Sequence, residues 1–211
     1  MVSRVRLLAC FAVATLLGGC EPAPDRPAAS ERRAGAPRAD SLAASGRGAG
    51  SGGEVEPDTV VVRGVRAATA RLDPVDGSGV SGTVRLRQLD GGVRVRAEID
   101  GLRRTRLHGF QILRAATCDE IDLAAHLGDD LGAPHGGPFR LPGDRHVGDL
   151  GNVRGGDGDG RYDRIDPVLR LNGLHSPVRR AVVVRAEPDD ATQPDGGAGA
   201  VLACGVFQPG R

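Results

Sequence analysis

Between Cys118 and Val178 the chain places His126, His135, His146 and His175 among Gly, Asp and Pro residues. Imidazoles and carboxylates are the usual ligands of divalent metals, and a stretch this long without apolar periodicity needs a tie to stay ordered. A metal and a disulfide are the two ties on offer. Just upstream, the hexapeptide HGFQIL (His108 to Leu113) ends an alternating run. Strand side chains repeat every two residues, so Gln111 and Leu113 share a face where a metal-binding strand would carry histidines. The stretch GGDGDGRYD (Gly155 to Asp163) is calcium-loop-like, but it lacks the closing bidentate Glu and reads as a Gly-Asp turn between strands. His175, in NGLHSP, reads as an exposed turn residue, and Arg103, Arg104 and Arg106 as a solvated loop. No Ser-His-Asp spacing, phosphate loop or paired-carboxylate motif is evident.

The surrounding chain has 211 residues with 28 basic side chains, all Arg, and 27 acidic ones, for a net charge of +1. That balance gives no overall electrostatic footprint for nucleic acid or a membrane surface, and no nucleic-acid partner is expected. Residues 1–19 read as a lipoprotein signal peptide. Arg4 and Arg6 precede the apolar run LLACFAVATLL, too short to span a bilayer. The run closes on LLGGC, which resembles the bacterial lipobox, with Cys20 as the lipidated mature N-terminus. Residues 20–57 are rich in Ala, Gly, Pro and Ser and read as a flexible tether, because nothing apolar is present to offset ordering. The expected address is an exported, membrane-anchored lipoprotein facing the periplasm or the cell exterior.

Export also bears on the cysteines. Cys10 leaves with the signal and Cys20 is acylated, so Cys118 and Cys204 remain as an even pair in an oxidising compartment. A bridge between them is expected.

Residues 58–211 carry the domain. The runs TVVVRGVRA, GVSGTVRLRQ and GGVRVRAEI alternate apolar with polar side chains, the signature of half-buried strands. Leu89-Asp90-Gly91-Gly92 is a hairpin turn signal, and RAVVVRAE and AVLACGVF are two further strands. No helical stripe is present. Short strands with Gly-rich turns predict an all-β barrel or sandwich.

The segments GVSGTVRLRQLDGGVRVRAEIDGL, LHGF, APHGGP, RHVGDLGNV, RAVVVRAEPDD and GAGAVLACGVF resemble, in order, segments of the copper/zinc superoxide dismutase family, from about Val60 to Phe207. RHVGDLGNV is the most specific of them. The resemblance implies an eight-stranded Greek-key β-barrel with long metal-binding loops and a disulfide on Cys118 and Cys204. It places the zinc ligands on His126, His135, His146 and Asp149, with His126 also the bridge to copper, and a carboxylate behind the ring of His135 on Asp189. Three His and one Asp make a closed set of the kind a structural zinc holds. His108 matches a position that packs and hydrogen-bonds without binding metal.

The copper positions depart from the pattern. Those of the family's H-x-H pair fall on Gln111 and Leu113, and that of its last copper histidine on Arg185. Leu has no lone pair, Gln offers a weak carbonyl oxygen, and Arg has no acceptor and keeps its charge. The family's channel arginine falls on Val201. Zinc is therefore expected and copper is not, and because zinc does not change oxidation state the chain is not expected to dismutate superoxide. The expectation is a structural or interaction role at the cell envelope. Residual dismutase activity and envelope metal handling are the competing readings. The protein partner is not specified, and a dimer and a monomer are both compatible with the sequence.

Overall fold

The computed structural model describes residues 61–210, so the signal peptide, Cys20 and the tether lie outside the described residues. Eight strands form a closed antiparallel barrel: β1 (Ala67–Pro74), β2 (Ser81–Leu89), β3 (Gly92–Asp100), β4 (Leu107–Ile112), β5 (Asp149–Gly155), β6 (Asp159–Asp166), β7 (Ala181–Arg185) and β8 (Val201–Val206). The ring runs β1-β2-β3-β6-β5-β4-β7-β8 and closes where β8 pairs with β1 through Asp73 and Cys204. After a break at Phe207, β9 (Gln208–Pro209) continues along β1. The non-consecutive pairings β3–β6 and β4–β7 are the Greek-key crossovers. A three-residue 3-10 turn at Asp129–Leu131 is the only helical element among the described residues.

Alternation explains the interior. Val84 and Leu86 of β2, and Val95 and Ile99 of β3, point inward, while Arg85, Arg87, Arg96 and Glu98 point to solvent. The β2–β3 hairpin turns at Asp90-Gly91 as its sequence predicts, with Leu89 facing Gly92. The parity of HGFQIL also holds. Phe110 and Ile112 enter the barrel core, where Phe110 meets Tyr162 edge-on at 5.2 Å, whereas Leu113 joins Ala181, Val183 and Cys204 in a separate outer cluster. The segment after β4 packs on that cluster through Ile121 and Leu123. Its tie is the disulfide between Cys118 and Cys204, which closes a separation of 86 residues.

Two strand assignments are corrected. The valine run at 59–67 is not the first barrel strand. Among its described residues, Val62 makes an isolated bridge to Gly173 and Val61 is exposed. β1 lies further on and buries Ala68, Ala70 and Leu72, a small-residue stripe whose apolar signal is weaker than the valines before it. The stretch from Cys118 to Val178 is likewise not one loop. It contains β5 and β6, joined by the GGDGDG turn. β6 reads DGRYDRID because half of its residues face solvent, so its sequence looks like a polar loop. His175 also differs from its expected exposure: its ring is half-buried and sits 2.9 Å from Asp130.

Candidate metal centre

Four side chains converge between β5 and the loop before it. His126 Nδ1 lies 2.6 Å, His135 Nδ1 3.0 Å and His146 Nδ1 3.4 Å from Asp149 Oδ1. The four potential ligand atoms lie within 4.8 Å of one another, and all four residues are buried. The structure thus gathers all four residues to which the resemblance assigned zinc.

Each histidine is oriented by its surroundings. His126 Nε2 donates to the Leu123 carbonyl at 3.1 Å and His135 Nε2 to Asp189 Oδ1 at 2.9 Å. With Nε2 held by that outer bond, Nδ1 is the ring atom left to offer a lone pair to a cation, the usual way an outer hydrogen bond selects a ligating tautomer. His146 Nδ1 is buried with no hydrogen-bond partner. An orphaned ring nitrogen beside two further Nδ1 atoms and a carboxylate oxygen is what a divalent cation satisfies. The donor set, nitrogen and oxygen in a closed group of four, fits zinc.

The acid of the set is held by the backbone. Asp149 Oδ2 accepts from the Gly136 amide at 2.9 Å and the His146 amide at 2.8 Å. Burial alone would raise its pKa, but the neighbouring imidazoles of His126, His135 and His146 prevail and hold the carboxyl well below the usual range. Burial likewise disfavours charge on His135, yet Asp149 and Asp189 outweigh it and push the ring up to about 9. The HVGD turn itself is pinned from below. Arg145, fully buried, bonds both oxygens of Asp166 at 2.6 Å and donates to the carbonyls of His146 and Asp149.

Asp189 links this group to Gln111 and, through it, to Arg185. Its Oδ1 takes His135, and its Oδ2 takes Gln111 Nε2 at 2.9 Å. Reciprocal bonds with Asn152, each 2.8 Å, fix its backbone. A Cβ at Gly196, which has φ +78, would collide with the Asp189 carboxylate and the His135 ring, so glycine is required there. Gln111 Oε1 in turn accepts from Arg185 Nη1 at 2.9 Å. Arg185 is 1% exposed, and its other bonds go to the Gly199 carbonyl and the Asp195 carboxylate, at 2.8 and 2.9 Å.

Gln111 and Arg185 both sit at register shifts, one in the β4–β5 ladder and one in the β7–β8 ladder. Such bulges re-aim side chains next to functional sites. Leu113 is fully buried in the outer cluster and bridges His126 through its backbone. Val201, facing Arg185 across β7–β8, is half-buried against the same cluster. His108 is buried, donating from Nδ1 to the Arg185 carbonyl at 3.0 Å. Asp195, Leu123 and Asn152 were not singled out from the sequence. Asp195 and Leu123 sit in loops, where side-chain pattern carries no signal, and Asn152 lies in β5 but meets only backbone atoms of Asp189, a partner no pattern names.

The comparisons agree with this geometry. The family model for copper/zinc superoxide dismutase (SODC) matches residues 80–207. The Superoxide dismutase [Cu-Zn] of Paramecium bursaria Chlorella virus 1 is 34% identical over 138 residues, 61% of this chain and 72% of its own length. Among solved structures, the crystal structure of the clock protein EA4 aligns with a TM-score of 0.60 and 31% identity, covering 69% of this chain and 95% of that one. The chain belongs to the copper/zinc superoxide dismutase family.

Proposed function

We propose that this chain is an exported, lipid-anchored barrel of that family which holds one zinc as a structural ion, has no copper centre, and serves a structural or interaction role at the cell envelope. The observation that carries the reading is Arg185. At a position where copper chemistry needs an imidazole, a buried guanidinium is held by Gln111 and paired with Asp195. A fixed positive charge there opposes a cation, and the two neighbouring positions offer an amide and an aliphatic side chain instead of nitrogen donors.

On the zinc side, His126, His135, His146 and Asp149 would hold the ion. When bound, zinc supplies cross-linking of the loop to β5 and no redox chemistry. The chain's own residues do the rest: Asp189 orients His135, and Leu123 turns the outer nitrogen of His126 away from any second metal. The anchor and the envelope address rest on LLGGC and the tether that follows it.

The test is superoxide removal by the purified chain after loading with copper and zinc, against the same total metal free in buffer. The reading expects no excess over free metal, and removal well above that background overturns it. Labelling with radioactive palmitate tests the anchor separately: the wild type takes up label and Cys20→Ser does not.

A further inference from the structure

The outer face of β1, β2, β3 and β6 carries an arrangement unrelated to the metal centre. Register aligns its solvent-facing side chains in rows, Ala67–Arg87–Arg94–Ile165 and Thr69–Arg85–Arg96–Asp163. Arg87 thus faces Arg94, and Arg85 faces Arg96, directly across β2–β3. Like charges directly opposite on a sheet destabilise it. Arg66 joins these four around a groove of about 460 Å³, floored on one side by the short side chains Ala67 and Thr69.

Carboxylates cover only part of this charge. Asp163 takes Arg94 at 2.7 Å and Arg96 at 3.1 Å, and Glu98 takes Arg85 at 3.4 Å. Arg66 and Arg87 have no acidic partner among the described residues, so five arginines face two carboxylates. The net charge of +1 averages this patch away.

We propose that this groove binds the phosphodiester headgroups of an anionic bilayer. Several guanidiniums on one open face match an array of phosphates, and each recognises an oxyanion through paired N–H donors. Ile165, 53% exposed in the same row, can enter the interfacial layer. No aromatic side chain lines the groove to stack a base, which sets single-stranded nucleic acid aside as the occupant. Arg66 directly precedes β1. The choice of a bilayer as occupant rests on the anchor reading, which would keep the domain beside a membrane.

The test uses the chain from residue 20 onward with Cys20→Ser, which keeps the tether and barrel and binds vesicles only through its own side chains. Failure of the palmitate experiment therefore does not decide this one. Co-sedimentation is expected with vesicles containing phosphatidylglycerol and not with pure phosphatidylcholine, and it should weaken with added salt. Arg66→Gln with Arg87→Gln should lower partitioning roughly 30-fold, while Arg103→Gln with Arg106→Gln, an equal change of charge elsewhere, should leave it near wild type. Arg87→Gln alone should raise the melting temperature, since it relieves the contact with Arg94. Equal losses in both double variants, binding to neutral vesicles, or binding of pyrophosphate or duplex DNA without vesicle binding would each overturn the proposal.

Discussion

Arg185 sets the chemistry beside Gln111 and Asp195, and its consequences are measurable one side chain at a time. Arg185→Ala leaves Gln111 Oε1 and Asp195 Oδ2 without their donor. Breaking a buried ion pair costs about 3–5 kcal/mol, and because Asp195 keeps some contact with solvent the expected loss is about 2–3 kcal/mol by urea denaturation. Asp195 also gives the pair an acid limb. Burial works against its charge, but the Arg185 hydrogen bond wins and lowers its pKa. A depressed carboxyl contributes stability above its unfolded pKa and loses it as pH falls through the folded one. Wild type should therefore exceed Asp195→Asn in stability at neutral pH, and the two should converge as pH drops below about 4. A gap independent of pH would contradict this. Behind the candidate ligands, Asp189→Ala should weaken binding of added zinc 10- to 100-fold in a chelator competition, because His135 loses the partner that orients its ring. The ligands themselves were legible because RHVGDLGNV and APHGG fix three of them in short, specific text. Asp195 was not legible: it meets Arg185 through the folding back of a Gly-rich loop, which no spacing rule anticipates.

At the scale of elements, bulges and loops decide what the strands present. The parity of β4 was readable from HGFQIL, which puts Gln111 and Leu113 on one face; that this face points away from the barrel core came only with the fold. The location of β1 was not, since Ala68, Ala70 and Leu72 make a fainter stripe than the valines of 59–67. β6 stayed hidden for the opposite reason: half its residues face solvent, and three of those four are charged. The disulfide ties the segment after β4 to β8, and an 86-residue closure is worth roughly 4–5 kcal/mol in chain entropy. Replacing Cys118 and Cys204 by Ser should lower the urea midpoint accordingly. Zinc-loaded protein should still fold, because Arg145 and Asp166 pin the HVGD turn independently.

For the whole molecule, the barrel and its metal loops separate into a half that fits zinc and a half filled by protein. Family membership was legible from ordered segments spread across the domain, whereas the arginine rows required the register of four strands. The filled half can be challenged by restoring it. Gln111→His, Leu113→His and Arg185→His together should bind copper if the guanidinium and its neighbours are what exclude it, since Asp189 already accepts a bond from position 111. A folded triple variant without copper would show that the surrounding loop has closed on the site. The account as a whole is tested most directly by the metal content of the wild-type chain, purified from copper- and zinc-replete cells and measured by elemental mass spectrometry. The prediction is one zinc per chain and no tightly held copper, and stoichiometric copper, or a chain that retains no zinc, would contradict it.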